Sequence, residues 1–138
     1  MKKILPMALL ALIVSGCHQH ADSGLTAQQL AGQHFILQSV NGVAARSNQG
    51  QQPEIAFSDD LRLSGAICNR FFGQGELSGN VLTVKQLGST RMICSDQQLS
   101  HWDSVVAETL SNGAQVTLER GNLTLKGGGH TLKYKAAQ

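Results

Sequence analysis

Alternation of apolar and polar residues with a period of two dominates the chain and predicts strands. In "PEIAFS" it puts Ile55 and Phe57 on one face, and in "DLRLSGAI" it does the same for Leu61, Leu63 and Ile67, with Asp59-Asp60 as the turn between them. "GELSGNVLTVK" reads as a hairpin turning at Gly79-Asn80. "AQVTLERGNLTLKGGGHTLKYK" reads as a three-strand meander with turns at Gly121-Asn122 and Gly127 to Gly129. Its inward residues are Val116 and Leu118, Leu123 and Leu125, and Leu132 and Tyr134. An earlier strand, "QHFILQSVNG", stops at Asn41-Gly42, and "VAARSNQGQQ" follows as a polar loop. One face buried and one wet is the signature of an antiparallel sheet.

One segment changes period. In "SDQQLSHWDSVVAETLSNG" the apolar positions Leu99, Trp102, Val106 and Leu110 recur every three or four residues. Ser95 and Gln98 stand at capping-box spacing and Asn112-Gly113 supplies a stop, which predicts one amphipathic helix. The expected fold is α+β: a single compact domain in which a strongly curved antiparallel β-sheet, an open or partial barrel, carries that helix on one face.

The amino terminus follows neither period. "MKKILPMALLALIVSGC" has two lysines, an apolar run from Ile4 to Val14 and small residues up to Cys17, the pattern of a secretory signal too short to span a bilayer. Val14-Ser15-Gly16-Cys17 is similar to a bacterial lipobox, which implies lipidation of Cys17. His18 after it, rather than an aspartate, implies sorting to the outer membrane. Residues 1–16 are then the signal peptide, 17–25 the lipidated terminus and tether, and 26–138 the folded domain. Removing residues 1–16 from the 138 leaves 122, enough for one domain with its own core. It also takes Lys plus Arg from 11 to 9, equal to the 9 Asp plus Glu, so no basic excess remains to attract nucleic acid.

With Cys17 lipidated, Cys68 and Cys94 form an even pair in an oxidising compartment, most simply a disulfide. Other chemistry finds little support. Gly73-x-Gly75 lacks the third glycine and the strand-helix context of a dinucleotide site, and reads as a bulge or turn at a hairpin entry. Cys68 with His101 or His130 as nucleophile and base conflicts with the disulfide, and His130 has the inward parity of a hydrogen-bonded core histidine. His18-x-His20 sits in a tether without convergent ligands. Asp59-Asp60 falls in a turn, and Asp96 and Asp103 fall on the helix, with Asp96 in its first turn. No catalytic residue, metal site or cofactor is expected.

"SGAICNRFFGQGEL" followed by "STRMIC" resembles the Cys-Asn-x-Phe and Thr-x-Met-x-Cys signatures of the META domain family. The resemblance extends from the lipobox through "FILQSVNG" and "PEIAFS" to "HTLKYK". It implies a compact α+β domain, association with heat stress and a link to tolerance of the antibiotic novobiocin, and it brings no enzymatic activity. The signature residues Cys68, Asn69, Phe71, Thr90, Met92 and Cys94 are then architectural. By that signature Phe71 points inward, so Phe72 points outward beside Arg70, either as an aromatic and arginine pair of the kind enriched in binding hot spots or as satellite core under the "VAARSNQGQQ" loop. The expected function is that of a non-catalytic, monomeric outer-membrane lipoprotein facing the periplasm, an interaction or shielding module for an envelope protein. The alternative is a carrier that holds an acyl chain or another apolar molecule between helix and sheet.

Overall fold

A computed structural model describes residues 24–137. The signal peptide, Cys17, His18 and His20 lie outside the described residues. The chain runs through α1 (Ala27–Leu30), β1 (His34–Val40), β2 (Val43–Ala44), β3 (Glu54–Phe57), β4 (Arg62–Ala66), β5 (Arg70–Ser78), β6 (Val81–Val84), β7 (Gly88–Ser89), α2 (Gln97–Asn112), β8 (Ala114–Glu119), β9 (Asn122–Gly127) and β10 (His130–Ala136). All strand pairings are antiparallel, in the order β10-β9-β8-β6-β5-β4-β3-β1, and β1 pairs back onto β10.

The sheet is therefore a closed eight-stranded barrel rather than an open or partial one. Phe35 stands opposite Ala136, Leu37 opposite Tyr134 and Val40 opposite Leu132. This closing pair joins the two ends of the domain, and nothing in either strand's alternation names its partner. β2 and β7 are two-residue flaps on the barrel wall, paired to β1 and β5.

The turns follow the sequence with small shifts. Ser78 pairs Val81 across Gly79-Asn80 as expected. The next hairpin turns at Arg120-Gly121, one residue early, and the last at Gly128-Gly129, with Gly127 inside β9. Both of these turns place their two central residues at positive φ, 52° and 80° in the first and 59° and 83° in the second. Such turns match the twist of a two-residue hairpin. The polar loop is partly ordered, since Val43–Ala44 forms β2 and Asn48 bridges Gln51.

Gly73 and Gly75 lie within β5 on its inward face, not at a bulge or turn. A Cβ at Gly73 would come 2.5 Å from Val84 Cγ1, and one at Gly75 would come 2.8 Å from the Leu61 carbonyl oxygen. Here β5 leaves β4 on one edge and takes up β6 on the other, and only glycine lets the barrel wall close that tightly.

The core holds Phe35, Ile55, Leu63, Leu82, Val84, Leu123, Leu125, Leu132 and Tyr134 from the sheet. α2 adds Leu99, Trp102, Val105, Val106 and Leu110, the expected stripe widened by one valine. Full burial of such side chains contributes about 1.5–3 kcal/mol each. Thr109, the buried polar residue of this cluster, donates its hydroxyl to the Val105 carbonyl at 2.7 Å. The N-cap of α2 is Asp96 rather than Ser95: its carboxylate accepts from the Gln98 and Leu99 amides. A second, four-residue helix, α1, precedes β1 and was not signalled by any period.

The two ends of the barrel differ. At one end the Leu25 amide donates to Asn80 Oδ1 and the Ala137 amide to the His34 carbonyl, so both ends of the described chain lie there. The opposite end carries the turn at residues 67–69, the segment 90–96 and the start of α2.

Candidate functional site

The segments 67–69 and 90–94 form one cross-linked unit. Cys68 and Cys94 are joined by a disulfide, with 6.1 Å between their Cα atoms. Around it, Asp103 of α2 accepts from the Cys68 amide at 3.1 Å, the Asn69 amide at 3.0 Å and Asn69 Nδ2 at 3.1 Å. Asn69 Oδ1 accepts from the Met92 amide at 2.6 Å and from the Thr90 hydroxyl at 2.9 Å. Thr90 Oγ1 in turn accepts from the Arg70 amide at 3.0 Å.

The signature thus has a physical content. Asn69 donates and accepts at the same time, and only an amide offers both functions at that reach. Met92 takes part through its backbone, since its side chain is 60% exposed and Ile93 beside it is fully exposed. Asp103 is the site residue that the sequence alone does not single out: its place on the helix shows no role, yet it locks the helix to the signature turn. Its partners lie 34 and 35 residues away, so no local spacing could have signalled it.

The Cys68 and Cys94 sulfurs and an Asp103 oxygen lie within 4.8 Å of one another. The sulfurs are bonded to each other and the carboxylate faces three N–H groups, so this unit is a scaffold that fixes loops.

The adjacent phenylalanines divide between the two faces of β5. Phe71 is 5% exposed and stands opposite Gly65, whereas Phe72 is 46% exposed and stands opposite Gly88. A Cβ at Gly88 would lie 2.6 Å from Phe72 Cε2 and 3.0 Å from Cζ. The glycine leaves room for the ring to lie on the backbone of β7, which gives an exposed aromatic a fixed seat.

Phe72 and Arg70 border a groove of about 810 Å³ on the outer wall of the barrel. Two cross-strand rows line it: Ile36, Glu54, Ala66 and Arg70 in one, and His34, Ser64 and Phe72 in the other, where Ala56 stands between His34 and Ser64 without lining the groove. Small side chains on β4, Ser64 and Ala66, form the floor. The 48–52 loop and a 2.6 Å His34–Glu54 pair border one side, and Arg70, Phe72 and Met92 the other. Among the described residues no carboxylate lies within ion-pairing distance of Arg70.

Other residues considered for chemistry are accounted for individually. His130 begins β10 and is only partly buried, with its ring nitrogens 3.1 Å from Asn41 Nδ2 and 3.2 Å from Glu108 Oε2. His101 is exposed on α2. Asp60 accepts from the Ser58 hydroxyl, and this bond, with the Arg62 amide, holds its carboxyl below the usual range. The Tyr134 hydroxyl is buried without a hydrogen-bond partner, and desolvation pushes its ionisation far up.

Comparison with known proteins places this geometry. The family model described as META domain matches residues 28–138. Heat shock protein HslJ of Escherichia coli (strain K12) is 42% identical over 137 residues, covering 99% of this chain and 97% of that protein. One solved NMR structure, 44% identical, matches with a TM-score of 0.75 over 80% of this chain and 94% of its own. A second NMR structure, of a protein from Burkholderia xenovorans, is 22% identical with a TM-score of 0.65 over 81% of this chain and 86% of its own, a likeness of fold.

Proposed function

The chain belongs to the META domain family, and from that premise we propose that it is a non-catalytic lipoprotein of the outer membrane, facing the periplasm as a monomer. It acts there as an interaction or shielding module under heat stress. The name of its Escherichia coli relative, heat shock protein HslJ, supports the stress association. The lipobox ending at Cys17 and followed by His18 supports the anchor and its address. A contribution to novobiocin tolerance belongs to the same reading, as an effect of the envelope component that the module engages.

The observation that carries the interaction reading is the outer groove, with Phe72 seated on Gly88 at its rim and Met92 and Ile93 exposed beside it. Exposed aromatic and aliphatic side chains next to an arginine resemble the composition of interface anchors. The disulfide, Asn69 and Asp103 hold this surface in one shape before a partner arrives, which lowers the ordering cost of binding. The carrier reading draws less support, because the α2 side chains Leu99, Trp102, Val106 and Leu110 occupy the seam between helix and sheet.

The test is a photo-crosslinking amino acid placed at position 72, 92 or 133 of the full chain in heat-stressed cells. The module reading expects discrete adducts from 72 and 92 and none from 133, on the outer face of β10. No adduct at 72 or 92, or the same adducts from all three positions, would count against it.

A further inference from the structure

Resting on the reading of this groove as a binding surface, we propose that its ligand is a saccharide, specifically an N-acetylated amino sugar that carries a carboxylate. Three observations carry the assignment.

The first is the floor. β4 is hydrogen-bonded to β3 on one edge and β5 on the other, so it offers no main-chain groups to an incoming peptide. Strand addition, the general way in which a sheet captures polypeptide, needs an open edge. That route is closed at this floor, where Ser64 and Ala66 can meet a ligand only through their side chains.

The second is the chemistry of those side chains. Ser64 and the exposed amides of Gln49, Gln51 and Gln52 combine donors with acceptors, which suits hydroxyl and acetamido groups that also do both. The Phe72 ring, held against Gly88, offers a flat apolar surface of the size of a pyranose ring. Arg70 borders the same groove with no carboxylate within 4.0 Å among the described residues, Glu54 of the same row being held by His34, and its planar fork pairs with one supplied by the ligand.

The third is orientation. The tether leaves beside Asn80, just past one end of β5, whereas Arg70 begins the other end. Nine residues of strand separate the two by roughly 25–30 Å at about 3.3 Å per residue. With Cys17 in a membrane, the Arg70 end of the groove therefore lies farther from the anchor than its His34 end.

The experiment is NMR titration of the full chain in detergent micelles, following the amides of Ser64, Arg70, Phe72 and Gly88. The probes are N-acetylmuramic acid, its neutral counterpart N-acetylglucosamine, and triglutamate as an acidic peptide. Saturable binding of N-acetylmuramic acid is expected, with N-acetylglucosamine at least about tenfold weaker because it leaves Arg70 without a charged partner. Arg70→Gln should abolish the difference between the two sugars. Gly88→Ala, which lifts the Phe72 ring from its seat, should weaken both, as should Phe72→Ala. Absence of sugar binding up to about 10 mM, a range that covers even weak recognition, would overturn the assignment. Tighter binding of triglutamate, or sugar binding indifferent to Gly88→Ala, would overturn it equally. A protein adduct at position 72 without sugar binding sinks this inference and leaves the interaction module standing, whereas loss of both sinks both.

Discussion

Asp103 Oδ2 lies 3.0 Å from the Asn69 amide nitrogen and 3.1 Å from its Nδ2, so one carboxylate holds both the backbone and the side chain of the signature asparagine. Asp103→Ala strands these donors and the Cys68 amide. At partial burial the expected loss is about 2–3 kcal/mol, taking about 1 kcal/mol for each lost partner. Asn69→Ala breaks the same network from its other side. In a double-mutant cycle the two changes should cost clearly less than the sum of the singles, and strict additivity in denaturant unfolding would show that they do not act as one unit.

The Cys68–Cys94 bond closes a loop of 26 residues in sequence separation. In the chain-entropy model such a loop contributes about 3–4 kcal/mol. Reduction should therefore lower the melting temperature markedly, and the Cys68→Ala, Cys94→Ala double variant should melt near the reduced protein. Two free thiols in non-reducing mass analysis of periplasm-derived protein would refute the bond.

Phe71 and Phe72 differ by one position and by the whole thickness of the sheet. Phe71→Ala empties a core site and should cost about 3–5 kcal/mol. Phe72→Ala removes an exposed ring and should shift stability by about 0.5 kcal/mol or less. Equal destabilisation by thermal melting would mean that Phe72 is part of the core, and the groove would lose its anchor.

The chain has one tyrosine, so the rise in absorbance near 295 nm that accompanies phenol ionisation comes from Tyr134, over a background from Trp102. Its ionisation is raised in the fold by burial. The folded state then keeps a proton that the unfolded state begins to lose near pH 10. The stability linked to this group is complete below about pH 10 and declines as pH rises above it. Tyr134→Phe should remove that part of the alkaline decline and cost little at pH 7, since the hydroxyl has no partner to lose. A phenol that titrates near pH 10 without unfolding would contradict this account.

The anchor is tested by metabolic labelling with palmitate. Wild-type protein should take up label and Cys17→Ser should not, and His18→Asp should shift the product toward the inner membrane. Unlabelled wild-type protein would end the lipoprotein reading.

The sequence by itself determined which residues face inward and where the chain bends. Ile55, Phe57, Leu63, Val116, Leu123 and Leu132 were legible because alternation with a period of two is a property of each strand alone. The α2 stripe of Leu99, Trp102, Val106 and Leu110 was legible because its period is equally local. The even cysteine pair was legible by counting, and the family by the spacing of Cys68, Asn69, Phe71, Thr90, Met92 and Cys94. Only the tertiary structure decided closure of the barrel through β1 and β10, because pairing is chosen by two strands at opposite ends of the domain. Gly73 and Gly75 looked like punctuation until Val84 and the Leu61 carbonyl were seen against them. The groove was likewise out of reach: His34, Glu54, Ser64, Phe72 and Gly88 become neighbours only through four register choices. Asp103 belongs with them, since its charge is offset by N–H groups more than thirty residues distant. A side chain's direction is written in its own strand or helix, but its neighbours are set by which strands pair and in what register, and that is a property of the whole fold.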